Sequence, residues 1–202
     1  MSLWIGEHVK LRRMAADDWR VLLEWAEDSE AQRIGGIVSG PQSEARMREH
    51  TTESAKQAAE DESLWLMVTL LDGTPVGSVQ TRDVNVRNGT FDYGVDIARK
   101  YWGRGYGAEA LAMLLRFYFD ERRFQKANGQ VFAFNEQSRR FHEKFGFQLE
   151  GTLRRNWFAG GRHHDVLCYG MTAEEFRARY GEWQPNASKP PAKSRRARPA
   201  GR

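Results

Sequence analysis

Cysteine is all but absent. Cys168 is the single one in 202 residues, so neither an internal disulfide nor a cysteine-only metal site can form. Long apolar runs are missing too. LAMLLRFYF, the most apolar stretch, is short and contains Arg116, which excludes a membrane-spanning helix there. The first residues, MSLWIGEHVKLRR, lack the basic-then-apolar order of a signal peptide, and a cytoplasmic location is expected.

Acidic residues are absent from one place only, the last twenty positions. Residues 183–202 hold Lys189, Lys193, Arg195, Arg196, Arg198 and Arg202 with no Asp or Glu, leaving 25 basic against 27 acidic residues before them. The overall excess of positive charge is therefore a property of the tail. Pro185, Pro190, Pro191 and Pro199, with little that is apolar, predict disorder there. A basic tail can touch nucleic acid or acidic partners. No aromatic residue stands among these basic ones, which favours a solvated terminus over a nucleic-acid partner. Residues 1–182 are expected to form one domain, with no internal repeat and no boundary before the tail.

Alternation at 4–13 suggests a first strand, and Asp17 and Asp18 open a helix carrying Trp19, Leu22, Leu23 and Trp25. IGGIVSG (34–40) reads as a loop, and 43–60 as a polar helix with a thin apolar face, of the kind that covers a site. Strands at 64–71, 75–84 and 90–97 are joined by the tight turns Asp72-Gly73 and Asn88-Gly89, giving consecutive antiparallel strands. A helix to about Arg122 and a strand at 128–134 follow; a helical crossover makes that strand parallel to 90–97. A short helix (137–145) closed by Gly146, a hairpin turning at Gly160-Gly161 and a last helical segment at 173–180 complete the chain.

Between the strand ending at Ile97 and its helix stand Gly103, Gly105 and Gly107. Glycines at alternate positions let the backbone curl and present several N–H groups to an anion, and the helix start adds unpaired amides and a dipole. A plain strand–helix connection needs only one glycine. Gly103, Gly105 and Ala108 also satisfy a dinucleotide fingerprint, with Glu136 where a ribose-binding acid would sit. That fold needs repeated parallel units, and the preceding chain reads as hairpins.

YWGRGYGAEAL followed by FNEQSRRFHEKFGFQLEGTLRR resembles the GNAT superfamily of N-acetyltransferases, of the type that includes ribosomal-protein-alanine and spermidine acetyltransferases; the resemblance covers roughly residues 4–172. It implies an α+β fold: a single domain with a mixed, mostly antiparallel central sheet, splayed at a bulge between its fourth and fifth strands and flanked by helices. It also implies acetyl-CoA as acetyl donor. Trp102, Gly103, Arg104, Gly105, Tyr106 and Gly107 would hold the pyrophosphate, although Trp102 stands where the family has Gln or Arg. Val95, Asp96 and Ile97 would bond pantetheine through their backbone, and Asn135 would bond its arm as well as capping the next helix.

Acetyl transfer needs a neutral amine at the thioester and a proton for the departing thiolate. Seven residues after Asn135, where many relatives place a tyrosine that protonates the thiolate, this chain has His142. Ser138 matches a position that can bond coenzyme or sulfur, or cap the helix. Asp92, 11 residues before Gly103, lies where spermidine-type relatives carry a glutamate, and is the candidate base, acting through water. By alternation it shares a face with Asp96, opposite Phe91, Tyr93, Val95 and Ile97.

Cys168 is expected as buried filler rather than a nucleophile. His163, His164 and Asp165 fit a hairpin edge better than a metal site, since adjacent strand residues point to opposite faces; no metal is expected. Gly161, Arg162 and Asp165 match a Gly-Arg-x-x-Asp pattern frequent in the family.

The resemblance implies direct transfer to a primary amine in a ternary complex, the acceptor being a polyamine, amino acid, antibiotic or protein amino terminus, and leaves room for a homodimer. The competing readings are a catalytically idle acetyl-CoA-binding module and a nucleic-acid-binding protein driven by its tail.

Overall fold

The computed structural model describes residues 2–56 and 61–182. The basic tail at 183–202 and the end of the helix expected to reach Glu60 lie outside the described residues. The strands are β1 (Val9–Arg13), β2 (Trp65–Leu70), β3 (Pro75–Asn85), β4 (Thr90–Ile97), β5 (Lys126–Phe132), β6 (Gln148–Ala159) and β7 (Arg162–Thr172). They form one seven-stranded sheet in the order β1-β2-β3-β4-β5-β7-β6, in which β4 and β5 are the parallel pair and the other neighbours are antiparallel. The helices are α1 (Trp19–Ala26), α2 (Ser29–Ile34), α3 (Glu44–Ala55), α4 (Tyr106–Arg116), α5 (Glu136–Phe145) and α6 (Ala173–Tyr180).

The expected α+β architecture is present, with local differences. Strand β1 starts at Val9 because the chain folds back before it: Gly6 N donates to Val9 O at 2.8 Å and Leu11 N to Trp4 O at 2.9 Å. Helix α2 arises where sequence gave no sign of it, capped by Asp28, whose carboxylate accepts from Ala31 N at 3.1 Å. After Arg116 the expected long helix widens into a π turn, Phe117–Glu121, which turns Tyr118 and Phe119 into the core.

One face of the sheet carries Val9, Leu11, Leu66, Val68, Val79, Phe91 and Tyr93, packed with Leu111, Leu114, Leu115 and Tyr118 of the α4 segment. Burying each such side chain fully contributes about 1.5–3 kcal/mol. On the opposite face α1 and α3 pack beside β1 and β2. There Arg12 meets Asp18 at 2.7 Å, His50 packs on Trp65, and Thr51 Oγ1 donates to Ala16 O at 2.9 Å.

The feature that positions the site is a pairing that stops early. β4 and β5 share three rungs, Thr90–Lys126, Phe91–Ala127 and Asp92–Asn128, and no pairing among the described residues continues beyond them. The strands then diverge, β4 to Ile97 and β5 to Phe132. The expected bulge is not on β4, whose register against β3 runs unbroken from Asp92 to Ile97. The register shift falls on β3 between Arg82 and Asn85, where Asp83 adopts φ +47°. Regular alternation along β4 therefore holds, and Asp92 and Asp96 do share a face.

Candidate active site

Beyond the turn Arg99–Tyr101, the chain reaches the glycine loop. Gly103 (φ +74°) and Gly105 (φ +85°) take left-handed conformations that side chains disfavour, and a Cβ on either would meet nothing within 4 Å. Both face open space. Gly107 serves a different purpose: its φ is ordinary, and a Cβ there would sit 3.4 Å from Val95 and Ile97, so the glycine lets α4 approach β4 closely.

Gly105 is the N-cap of α4, and no side chain caps the helix. Its first-turn amides thus remain available to an anion, favoured by the helix dipole. Arg104 lies near the Tyr101 ring, 5.7 Å from guanidinium to centroid, and lines a shallow cleft beside the cradle with His8, Gly105, Glu109 and Arg116. A wider depression between α5, β6 and α6, lined by Glu143, Phe147, Tyr169 and Arg179, shares no residue with the cradle or β4.

Trp102, the departure from the expected polar residue, has a structural task. Its indole N–H donates to the Ile97 carbonyl, fastening the loop to the end of β4. Only the backbone of Trp102 remains for a phosphate. Fastening continues outward through Arg99 to Asp28 (2.8 Å) and Glu30, and Lys100 to Glu24 (3.1 Å), which tie the loop to α1 and α2.

On the open face, the Asp92 carboxylate accepts from Asn128 Nδ2 at 3.2 Å. Burial raises the Asp92 pKa, and the Asn128 bond partly offsets it. Asp96 is solvent-exposed on the same face, and desolvation by the neighbouring protein pushes its carboxyl up. Arg82, across the ladder from Asp92, donates to the Tyr93 carbonyl at 3.5 Å and favours the ionised form of both carboxylates. An aromatic group stands at the end of β5: Trp157 packs on Phe132 with centroids 4.6 Å apart and donates to Gly36 O at 2.9 Å, and His164 packs on Phe134. The loop after α2 and the β6–β7 hairpin thus meet.

On the other face, α5 presents Asn135, Ser138 and His142. Asn135 Oδ1 accepts from Ser138 N at 2.9 Å as a helix cap, while its Nδ2 donates to Ile34 O at 2.9 Å. That side chain braces α5 to α2. His142 is 6% exposed, within reach of the Tyr93, Phe147 and Tyr169 rings. Burial lowers its pKa, so the ring is neutral at neutral pH. Nδ1 lies 2.7 Å from the Ser138 carbonyl, which can only accept, so the ring's single proton is committed there. In this state the neutral ring offers a lone pair at Nε2. Ser138 Oγ stands 3.4 Å from the same Nδ1.

Cys168 is half-buried on β7 opposite Gln130. His163 packs on Phe158 while His164 Nε2 lies 3.1 Å from Ala159 O, and Asp165 accepts from Arg155 N at 2.8 Å, so this trio braces the hairpin. Among the described residues no three metal-ligating side chains converge, and no helix is long and apolar enough to cross a membrane. Tyr93 and Gly129, which flank the point where the strands part, escaped sequence reasoning: each reads as an ordinary strand residue until β5 is laid beside β4.

A three-rung parallel pair opening toward an uncapped, glycine-lined helix start is the arrangement the GNAT resemblance implies. Residues 8–148 match the family described as the acetyltransferase (GNAT) domain. The chain belongs to the GNAT acetyltransferase family. It is 37% identical over 181 residues to the SPbeta prophage-derived uncharacterized N-acetyltransferase YokL of Bacillus subtilis, covering 90% of this chain and 99% of that one. The putative ribosomal N-acetyltransferase YdaF of the same organism is 25% identical over 175 residues, covering 85% and 95%. Among solved structures, spermidine N-acetyltransferase from Vibrio cholerae in complex with CoA and spermine shares the fold at a TM-score of 0.73 and 18% identity, covering 83% of this chain and 97% of that one. Membership makes this GNAT chain an acetyltransferase, and the family's donor, acetyl-CoA, fits the residues present. The cradle is built from glycines with open space above them and is not blocked by a capping side chain.

Proposed function

We propose that the protein transfers the acetyl group of acetyl-CoA to a primary amine, on a small molecule or a polypeptide amino terminus, by direct attack in a ternary complex. The observation that carries this reading is the early end of the β4–β5 pairing, which leaves the β4 edge at Val95–Ile97 open in line with the glycine cradle. A pantetheine chain lying there can bond backbone as an added strand does. Amides of residues 103–107 and the Arg104 charge hold the pyrophosphate, each charge-assisted bond contributing about 1.5–3 kcal/mol before ordering costs. Acetyl-CoA supplies the activated acyl carbon.

The amine approaches from the face that carries Asp92 and Asp96. Most amines are protonated at neutral pH, and Asp92, made more basic by burial, accepts the proton through water. The transfer needs no metal from these residues. Residues 1–182 form the working unit, and the tail at 183–202 is dispensable to it.

The acceptor is sought among polyamines, amino acids, aminated antibiotics and peptide amino termini. A polyamine is the first to try, because spermidine N(1)-acetyltransferase of Escherichia coli, 23% identical over 120 residues, is among the relatives. The test is release of free thiol from acetyl-CoA by the purified full chain across these four classes. Amine-dependent release with an acetylated product supports the proposal; tight acetyl-CoA binding with no turnover in any class would leave a binding module instead.

A further inference from the structure

Arg82 projects onto the open face of the sheet and is barely held there. It stands directly across the β3–β4 ladder from Asp92, so the two are neighbours on that face, with Cβ atoms about 5 Å apart. Its guanidinium leans over β4 rather than onto Asp92. A Cβ on Gly94 would touch Arg82 Nη2 at 3.7 Å and Gln80 Nε2 at 3.4 Å, so the arginine lies over bare backbone. Nη2 then reaches the Tyr93 carbonyl at 3.5 Å. Tyr93 is the first residue of β4 past the last rung shared with β5, which sets the guanidinium at the apex of the splay.

Among the described residues Arg82 has no ion pair and no other hydrogen bond. Arg12, Arg99 and Arg177, by contrast, each meet a carboxylate at 3.0 Å or closer. Arg82 is exposed, and it acts on Asp92 and Asp96 only electrostatically. A guanidinium presents a planar fork of N–H donors that matches a carboxylate in two parallel bonds. Arg82 spends one donor at the limit of hydrogen-bonding length, and the fork is left for a ligand.

We propose that Arg82 determines specificity in the acceptor site, and that the acceptor is a free amino acid with its amine toward Asp92 and its carboxylate on the Arg82 fork. This rests on the reading that an amine is acetylated on this face. An amino acid carries both charges on one carbon, a spacing that neighbouring Arg and Asp side chains can meet together. The other acceptor classes match less well. A polyamine joining Asp92 to Asp96, whose Cα atoms are about 13 Å apart along the strand, would pass its cations over Arg82. A peptide amino terminus brings a neutral amide where the fork takes a carboxylate.

Thiol release from acetyl-CoA by the full chain tests this, with the common L-amino acids, their α-amides, spermidine, an aminoglycoside and a short peptide as acceptors. Counted on the unprotonated amine, kcat/KM for at least one amino acid should exceed that for its own amide by about 10- to 100-fold. Arg82→Gln should bring that ratio toward one, and Arg82→Lys should keep part of it. Any effect of Arg82 on the basicity of Asp92 is common to acid and amide, so the ratio reads the carboxylate contact alone. An amide used as well as its acid, a ratio unmoved in Arg82→Gln, or spermidine outrunning every amino acid each overturns the proposal while transfer to an amine stands. No turnover with any of these amines overturns the transfer reading and the proposal with it.

Discussion

Asn128 donates from Nδ2 to Asp92 Oδ1 at 3.2 Å, across the last rung that β4 and β5 share. The bond fixes the carboxylate at the apex of the splay, on the face opposite His142. Asp92 and His142 are thereby separated by the plane of the sheet.

Asp92 is expected to set the acidic limb of the pH–rate profile. Its Asn128 bond favours the ionised form, so Asn128→Ala should move that limb to higher pH. Asp92→Asn should lower kcat/KM for a confirmed amine by about 100-fold. Because the folded-state pKa is raised, the stability associated with this carboxyl is present at low pH and lost as pH rises through that value. Asp92→Asn should therefore melt higher than the wild type at neutral pH, and thermal melts at several pH values read this out.

The cradle glycines should respond unequally. Gly105→Val forces a β-branched residue into φ +85° above an open site. It should raise KM for acetyl-CoA at least about tenfold and cost about 1–2 kcal/mol of stability. Gly107→Ala keeps an ordinary φ and meets Val95 and Ile97 at contact distance, so steady-state kinetics should show a much smaller change.

His142 makes stability depend on pH in the opposite sense to Asp92. Burial depresses its pKa, so the stability it contributes is present above the ordinary imidazole value, about 6.5, and lost as pH falls through the lower folded value. The wild type should melt lower in mild acid than at neutral pH, and His142→Leu should flatten that dependence.

Asn135 joins α5 to α2 through a cap and a brace. Asn135→Ala removes the bonds to Ser138 N and Ile34 O together and should cost about 1–2 kcal/mol. Hydrogen exchange should quicken in the first turn of α5 and around Ile34, and turnover should fall with it.

Ending the chain after residue 182 removes six basic residues and no acidic one. The shortened protein should keep the wild-type kcat and KM for acetyl-CoA, measured by thiol release.

Much of the fold was legible because its signals are local. Asp72-Gly73 and Asn88-Gly89 mark turns by backbone preference, Gly146 ends α5 in the left-handed region, and alternation from Phe91 to Ile97 assigns faces correctly. Helix α2 escaped because six residues hold too little apolar period to show, and its capping Asp28 resembles any loop aspartate. The end of α4 at Arg116 was equally hidden, since a π turn preserves the run of aromatic residues.

The sequence by itself determined the cradle: Gly103 and Gly105 are required wherever the chain runs, because only glycine takes those dihedrals freely. It also determined that a helix beginning at Asn135 would carry Ser138 and His142 on one side. Tertiary structure decided what these residues do. Where β4 and β5 part, which places Gly129 beside Tyr93 and His142, depends on pairing between segments more than thirty residues apart, and no local pattern encodes it. The proton on His142 is likewise placed by its burial and by the Ser138 carbonyl.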